Sequence, residues 1–552
     1  MRTPSTPSAP ILRRSKSLVA CVNLLRLLYL LYTTRGSLFD VSRRSPFGGL
    51  KLTMRILLAA FATGLALSAQ QKPVTGCPDL RSLTNHEVSI AVAAPVAETP
   101  NAPPHCRVFG QVLPQVGFEV RMPAEWNGRF VMIGNGGFAG EPTDSPGRVS
   151  QYGRYMKRGY AVAATDTGHS GITDTGATFA ADRQKLLDYA FRSLHVTAEA
   201  AKMLLRAYYG AAPAKSYFEG CSTGGRQGLI LAQRFPNDFD GITVGAPVLN
   251  FTGTMIRFVQ VAKALKAAPI ATNKMPTLAA RIYEGCDAKD GVKDGVIDDP
   301  RRCDFRPARD LPKCEAGADR PDCFTDPQIH ALEEIYAELK SQGKRIFPAW
   351  PVGPEAVGQN GHSGWDSWSV HDGGPSTGVF FAEGFFRYMA PPKPDPAYDI
   401  FSFNIDKDVA KLDSIHQILD ATDTDLSAFQ KHGGKILMYF GWADPALNPM
   451  MGVEYYEAVA ERMGPKTGDF FRLFMVPGML HCGDGPGPGV FDTTGPLSQW
   501  VEKGTAPDSI KAMKVVEGKA VRSRPLCVYP AAAKYNGSGS TDDASNFTCV
   551  KP

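Results

Sequence analysis

The stretch Lys215-Ser216-Tyr217-Phe218-Glu219-Gly220-Cys221-Ser222-Thr223-Gly224-Gly225-Arg226-Gln227-Gly228 decides the fold. Lys215 to Glu219 reads as a short strand, and a helix follows to about Phe235. Between them Gly220 to Gly224 spell G-x-S-x-G. On its own this pattern is weak; between a strand and a helix it is the setting a nucleophile elbow requires. The glycines let the backbone take a strained turn, so that the Ser222 hydroxyl stands above the sheet edge. The helix start and the Thr223 N–H can then stabilise an oxyanion.

Working outward, the same strand–helix rhythm continues on both sides. Arg129 to Ile133 is an apolar strand running into Gly134-Asn135-Gly136-Gly137. Tyr160 to Ala164 is another, and Asp182 to Tyr209 carries Leu187, Phe191, Leu194, Ala198, Ala201 and Leu205 at helical spacing, with Gly210 placed to end the helix. Ile242 to Val244 closes this first half. Strands alternating with helices predict an α/β fold with a mainly parallel sheet. The rhythm dissolves between about Leu249 and His432 and returns at Lys435 to Phe440 and Phe470 to Val476. The expected organisation is a leader at 1–69, a first core part at 70–248, an inserted lid at 249–432 and a second core part at 433–552.

A nucleophilic serine needs a base, and the base needs a carboxylate to orient it. In hydrolases of this architecture the chain order is serine, acid, histidine, each just past a strand. Lys435 to Phe440 runs into Gly441-Trp442-Ala443-Asp444, and Phe470 to Val476 runs into Pro477-Gly478-Met479-Leu480-His481. A lone loop aspartate is usually a turn or cap residue. Three residues in the right order and setting make Ser222, Asp444 and His481 the expected triad.

Composition narrows the class. The 552 residues are 43% hydrophobic and 21% charged, as a folded globular chain requires. The net charge of +5 comes from the first 69 residues, which hold ten Lys or Arg and one acid. The remainder has 50 basic against 54 acidic residues, so no basic footprint for nucleic acid is left. Met54-Arg55 followed by Ile56 to Ala69 fits a secretory signal, which makes Met54 the candidate initiator. Beyond Gln70 no run of about 18 apolar residues occurs, so the mature chain is expected to leave the membrane and be secreted or periplasmic. Without Cys21 of the leader, ten cysteines remain, an even number suited to disulfides. Neighbours suggest Cys77–Cys106, Cys286–Cys303, Cys314–Cys323 and Cys527–Cys549. That leaves Cys221 and Cys482, next to Ser222 and His481; if those two meet, their neighbours are close enough to bridge. The lack of CxxC pairs argues against zinc ribbons and thioredoxin chemistry.

Cys-Ser, then Asp, then His-Cys, with Gly220 to Gly228 around the serine, resembles the tannase/feruloyl esterase family, which includes mono(2-hydroxyethyl) terephthalate (MHET) hydrolases. Asn127-Gly128-Arg129-Phe130, Gly159-Tyr160-Ala161-Val162 and Pro477 to Cys482 carry the same likeness, from Cys77 to Cys549 overall. The resemblance implies an α/β-hydrolase fold with a large lid. It also implies an oxyanion hole formed by the Thr223 N–H and one from Gly136 or Gly137, with Gly137 preferred.

The acidic run Cys286 to Asp298 suits a hard cation, although its spacing is not that of an EF-hand; a solvated acidic turn is the other reading of the residues alone. The resemblance implies a structural lid calcium on the side chains of Asp287, Asp290 and Asp294 and the carbonyls of Val292 and Val296, with Cys286–Cys303 clamping the loop. No organic cofactor is expected. His169 reads as a turn or supporting residue and His195 as a packed helix residue. Trp365, Trp368, Phe380, Phe381, Phe385 and Phe386 read as lid core or as walls of an aromatic acyl pocket. Arg387 could meet a substrate carboxylate or pair within the lid.

The expected function is a secreted serine esterase for small esters of aromatic acids, with feruloyl esters first, gallate esters next and MHET third. Thr223 follows the serine, so no carboxylate there can assist polar ring substituents. A catalytically silent calcium-dependent binding protein is the alternative from another class, and a peptidase on the same fold would use the same triad.

Overall fold

The computed structural model describes residues 70–355 and 364–551, so the leader reading of 1–69, with Met54 and Cys21, lies outside the described residues. Nine strands make the central sheet: β1 (Val88–Val96), β2 (His105–Val112), β3 (Val116–Pro123), β4 (Arg129–Ile133), β5 (Ala161–Thr165), β6 (Lys215–Cys221), β7 (Gly241–Gly245), β8 (Lys435–Gly441) and β9 (Phe471–Val476). Their spatial order is β1-β2-β3-β5-β4-β6-β7-β8-β9. Every pair from β5 to β9 is parallel. The antiparallel portion, β1 to β3 with β3 against β5, is an addition to the sequence reading, which began its alternation at Arg129. A bulge between Ile90 and Val92 breaks the period-two pattern of β1, which hides the strand from a reading by alternation.

The parallel strands are largely apolar because both sheet faces are covered, with Glu219 on β6 an exception. On β4, Phe130 and Met132 enter one core, with Leu194, Ala198, Leu205 and Leu229 of the helices α2 (Ser193–Tyr209) and α3 (Thr223–Arg234). Val131 and Ile133 enter the other, with Tyr152 and Tyr155 of α1 (Pro146–Met156) and with Leu497 and Trp500. The helix expected over Asp182 to Tyr209 begins at Arg183, where the Asp182 side chain accepts the N–H of Gln184 at 2.7 Å. It widens into a π turn at Asp188–Arg192 and ends at Gly210, whose φ of 72° closes the C-terminus. The buried Asp188 side chain accepts from Arg192 and Gln184 inside that turn.

Between β7 and β8 the chain leaves the sheet. The helix α4 (Phe251–Ala267) starts this excursion, capped by Asn250 at 2.8 Å from the Gly253 N–H. Leu278, Ile282, Phe324, Ile329, Leu332 and Trp365 form a separate apolar core within the excursion. Its two ends meet at the sheet: the Ala421 N–H donates to the Leu249 carbonyl at 2.8 Å, and Asp420 accepts the Thr252 N–H at 3.0 Å. Among the described residues no helix is long and apolar enough to cross a membrane.

Candidate active site

Ser222 sits between β6 and α3 at φ 63° and ψ −122°, a conformation that costs an L-residue on the order of 1–3 kcal/mol. Its surroundings impose that turn. The Ser222 N–H donates to the Gly245 carbonyl at 3.0 Å, and the Ser222 carbonyl accepts from the Arg226 N–H at 3.1 Å. β6 and α3 cross so closely that a Cβ on Gly220 would lie 2.5 Å from the Gly224 backbone. The sharp turn therefore rests on the glycines at both ends of the motif.

Asp444 follows β8 and is fully buried. Its Oδ1 accepts the N–H groups of Ala446 and Leu447, each at 2.9 Å, and its Oδ2 lies 2.8 Å from His481 Nδ1. An ionised carboxylate only accepts, so Nδ1 carries the imidazole proton and Nε2 keeps its lone pair. His481 follows β9, and its ring meets that of Trp368 edge-on at 5.5 Å. Cys221 and Cys482 form a disulfide that ties the serine turn to the histidine loop. The other four disulfides are Cys77–Cys106, Cys286–Cys303, Cys314–Cys323 and Cys527–Cys549.

Ser222, His481, Gly136, Gly137, Trp368 and Phe381 border one cavity of about 590 Å³. Thr223 is the first residue of α3, where its N–H has no intrahelical acceptor. The Gly137 carbonyl is held by the hydroxyls of Thr223 at 2.6 Å and Tyr189 at 3.0 Å, which fixes the glycine loop against the helix start. Trp368 stacks on Phe381 at 5.9 Å, so the excursion supplies an aromatic wall.

The other aromatic candidates separate from these two. Trp365, Phe385 and Phe386 are buried in apolar cores, and Phe380 is half exposed beside Phe138. Arg387 is spent on Glu383 at 2.9 Å and on the Tyr398 carbonyl at 3.1 Å. His169 is buried, stacks on Phe179 at 3.8 Å and lies 3.0 Å from the Phe138 carbonyl; burial pushes its basicity down. His195 Nδ1 lies 2.8 Å from Asp238 and its ring stacks on Phe235.

The side chains read as calcium ligands have protein partners, within the loop and, for Asp294, outside it. Asp287 Oδ1 accepts the N–H groups of Asp294 and Gly295, and Asp290 accepts that of Val292 at 2.8 Å. Asp294 accepts the Val296 N–H at 3.1 Å and pairs with Arg524. Burial, with Asp290 beside it, pushes the Asp298 carboxyl up to about 8. Four partly or fully buried carboxyls among backbone carbonyls have the oxygen chemistry a hard cation takes. Among the described residues, no three His, Cys, Asp or Glu side chains stand close enough together to hold a metal ion.

Sequence reading passed over a set of polar residues in the active cavity. Glu141, Arg148, Gln151, Glu219 and Tyr439 line it together with Ser222. The available signal was Glu219, a charged residue in a strand three positions before the serine.

The sequence profile described as "Tannase and feruloyl esterase" matches residues 101–550. An uncharacterised esterase of Xanthomonas campestris pv. campestris is 35% identical, over 90% of this chain and 95% of its own. The mono(2-hydroxyethyl) terephthalate hydrolase of Piscinibacter sakaiensis is 34% identical, over 83% of this chain and 87% of its own. The crystal structure of feruloyl esterase B from Aspergillus oryzae superposes with a TM-score of 0.75 at 27% identity, covering 86% of this chain and 99% of that one.

Proposed function

The chain belongs to the tannase and feruloyl esterase family and is a carboxylic ester hydrolase of α/β-hydrolase fold, and on that premise we propose that it is an exported serine esterase for esters of aromatic acids. Ser222 Oγ attacks the ester carbonyl while His481 Nε2 takes its proton. Asp444 holds the tautomer and stabilises the imidazolium that forms. The N–H groups of Thr223 and Gly137 bind the oxyanion. His481 then returns the proton to the departing alcohol, and water, activated by the same nitrogen, hydrolyses the acyl-enzyme. The observation that carries this reading is the 2.8 Å contact between His481 Nδ1 and Asp444 Oδ2 at a cavity shared with the strained Ser222. Trp368 and Phe381 support an aromatic acyl group, because a flat ring can stack or meet them edge-on.

Feruloyl esters are the favoured substrates and gallate esters the next. MHET hydrolysis is a second reading, favoured by the likeness to a hydrolase of that name. The test is turnover of methyl ferulate, methyl gallate and MHET by the wild type and by Ser222→Ala. Loss of all turnover in the variant supports the mechanism; unchanged turnover refutes it. A folded wild type silent on all three esters would favour the binding-protein reading.

Export is proposed from the five disulfides, which persist in oxidising compartments. It is checked by cell fractionation with amino-terminal sequencing, where a protein confined to the cytoplasm and still starting at Met1 or Met54 would refute it. A structural calcium on Asp287, Asp290, Asp294 and the carbonyls of Val292 and Val296 is proposed on the chemistry of that loop. One calcium per chain by elemental analysis, with a lower melting temperature after chelation, is the expected result; a metal-free protein of unchanged melting temperature refutes it.

A further inference from the structure

The helix that follows Ser222 carries a fully buried arginine one turn past the serine. Arg226 Nη1 donates to the carbonyls of Ala190 at 3.1 Å and Leu419 at 2.9 Å, and Nη2 donates to that of Tyr189 at 3.3 Å. The guanidinium also lies over the rings of Tyr189, 5.1 Å away, and Phe251, 5.6 Å away. Three segments therefore meet at one charge. They are the π turn, the start of α4 where the excursion leaves the sheet, and the end of the helix Asp413–Leu419 where it returns. A guanidinium taken out of water is costly, and carbonyls and ring faces are what offset that cost here.

The side chain anchored at this junction is Tyr189. It is fully buried and does not border the active cavity, and its hydroxyl donates to the Gly137 carbonyl at 3.0 Å. The Thr223 hydroxyl donates to the same oxygen at 2.6 Å. Gly137 stands at φ 49° and has no side chain, so hydrogen bonds and not packing orient its peptide. The peptide before it is fixed separately, because the Gly136 carbonyl accepts the Ala139 N–H at 2.8 Å. Both hydroxyls draw the Gly137 carbonyl toward the buried side of the loop. Released from them, that peptide could turn its oxygen toward the cavity, where negative charge develops during attack on an ester.

We propose that Tyr189 is a positioning residue for ester hydrolysis: anchored by Arg226, its hydroxyl acts with that of Thr223 to keep the Gly137 carbonyl out of the cavity, so that the glycine loop presents N–H groups to the oxyanion. The assignment rests on the esterase reading. The two ends of the excursion bear on the oxyanion loop through the same guanidinium.

The experiment uses the disulfide-bonded protein as wild type, Tyr189→Phe, Thr223→Val, Thr223→Ser and the double variant Tyr189→Phe/Thr223→Val. It measures kcat and KM on the best ester, melting temperature, and inhibition by an aryl trifluoromethyl ketone. Ser222 Oγ adds to the ketone carbon, its proton passes to His481, and the ketone oxygen takes the negative charge. The inhibition constant therefore reports the oxyanion site, and it is insensitive to how much of a preparation folds. Tyr189→Phe and Thr223→Val are each expected to lower kcat roughly tenfold and to weaken the ketone by the same factor, with KM changed by less than about twofold. The double variant, whose Gly137 carbonyl has lost both hydroxyl donors, is expected to lose on the order of 10²-fold, the scale of a lost oxyanion donor. Thr223→Ser, which keeps a hydroxyl, should lose less than Thr223→Val. Unchanged kcat and ketone affinity in Tyr189→Phe would overturn the positioning role while the esterase reading stands. So would a lower melting temperature or higher KM with ketone affinity unchanged, or equal losses in the two Thr223 variants. A folded wild type that neither hydrolyses esters nor binds the ketone would refute the esterase reading, and the positioning role would fall with it.

Discussion

Replacing Asp444 by Asn changes one atom, and the local hydrogen bonds dictate where that atom goes. Asp444 Oδ1 accepts two backbone N–H groups at 2.9 Å, from Ala446 and Leu447. In Asp444→Asn an amide NH2 cannot occupy that position, because it would face two donors. The side-chain oxygen must stay there, and the NH2 must point at His481 Nδ1, 2.8 Å away in the wild type. Nδ1 then has to accept, the imidazole proton moves to Nε2, and the nitrogen that should take the Ser222 proton already holds one. The fold has no reason to change, since the backbone bonds to Oδ1 survive. The expected loss is in kcat, by about 10⁴-fold or roughly 5 kcal/mol of transition-state stabilisation, the size of effect seen when the same tautomer is lost in serine proteases. The assay is steady-state hydrolysis of methyl ferulate, or of whichever ester proves best, with KM and melting temperature measured in parallel. A folded variant within tenfold of the wild-type kcat would refute the argument, as would a loss confined to KM.

Three further outcomes are expected. Replacing both Cys221 and Cys482 by Ala opens a loop closed across 261 residues, which the chain-entropy account values at up to about 5 kcal/mol; thermal unfolding should show a lower melting temperature, and kcat should fall because the histidine loop loses its tie to the serine turn. Trp368→Ala should raise KM for aromatic esters more than for an acetate ester, since Trp368 flanks both His481 and Phe381; an equal rise on both refutes its role as an aromatic wall. Burial pushes the Asp166 carboxyl up to about 7, so the folded state keeps a proton that the unfolded chain releases above about pH 4. Wild-type stability should therefore decline from about pH 4 to about 7 through this group. Asp166→Asn, which retains an oxygen for the N–H groups of Gly117 and Gly168, should gain relative stability across that window in denaturant titrations; a constant difference with pH refutes it.

The chain's own order of residues made the placement of Ser222, Asp444 and His481 legible, because each lies just past a short strand and each strand is set by local pattern. The glycines around Ser222 announced the tight turn, since a side chain there would strike the neighbouring backbone. The cysteine pairs followed from spacing and from the adjacency of Cys221 and Cys482 to Ser222 and His481. The π turn at Asp188–Arg192 was invisible, because helical spacing of apolar residues persists through it.

What the sequence determined by itself is the family and the fold class: an α/β sheet, parallel over its larger part, with Ser222, Asp444 and His481 each just past a strand. Only the tertiary structure decided what lies around them. Arg387 is turned to Glu383 and away from the cavity, and of six aromatic candidates only Trp368 and Phe381 reach it. Glu141, Arg148 and Gln151 converge with Glu219 there although they come from the loop before α1, from α1 and from β6. Periodicity reports which face of an element is buried, whereas a cavity is bounded by side chains from distant elements whose meeting depends on how the layers pack.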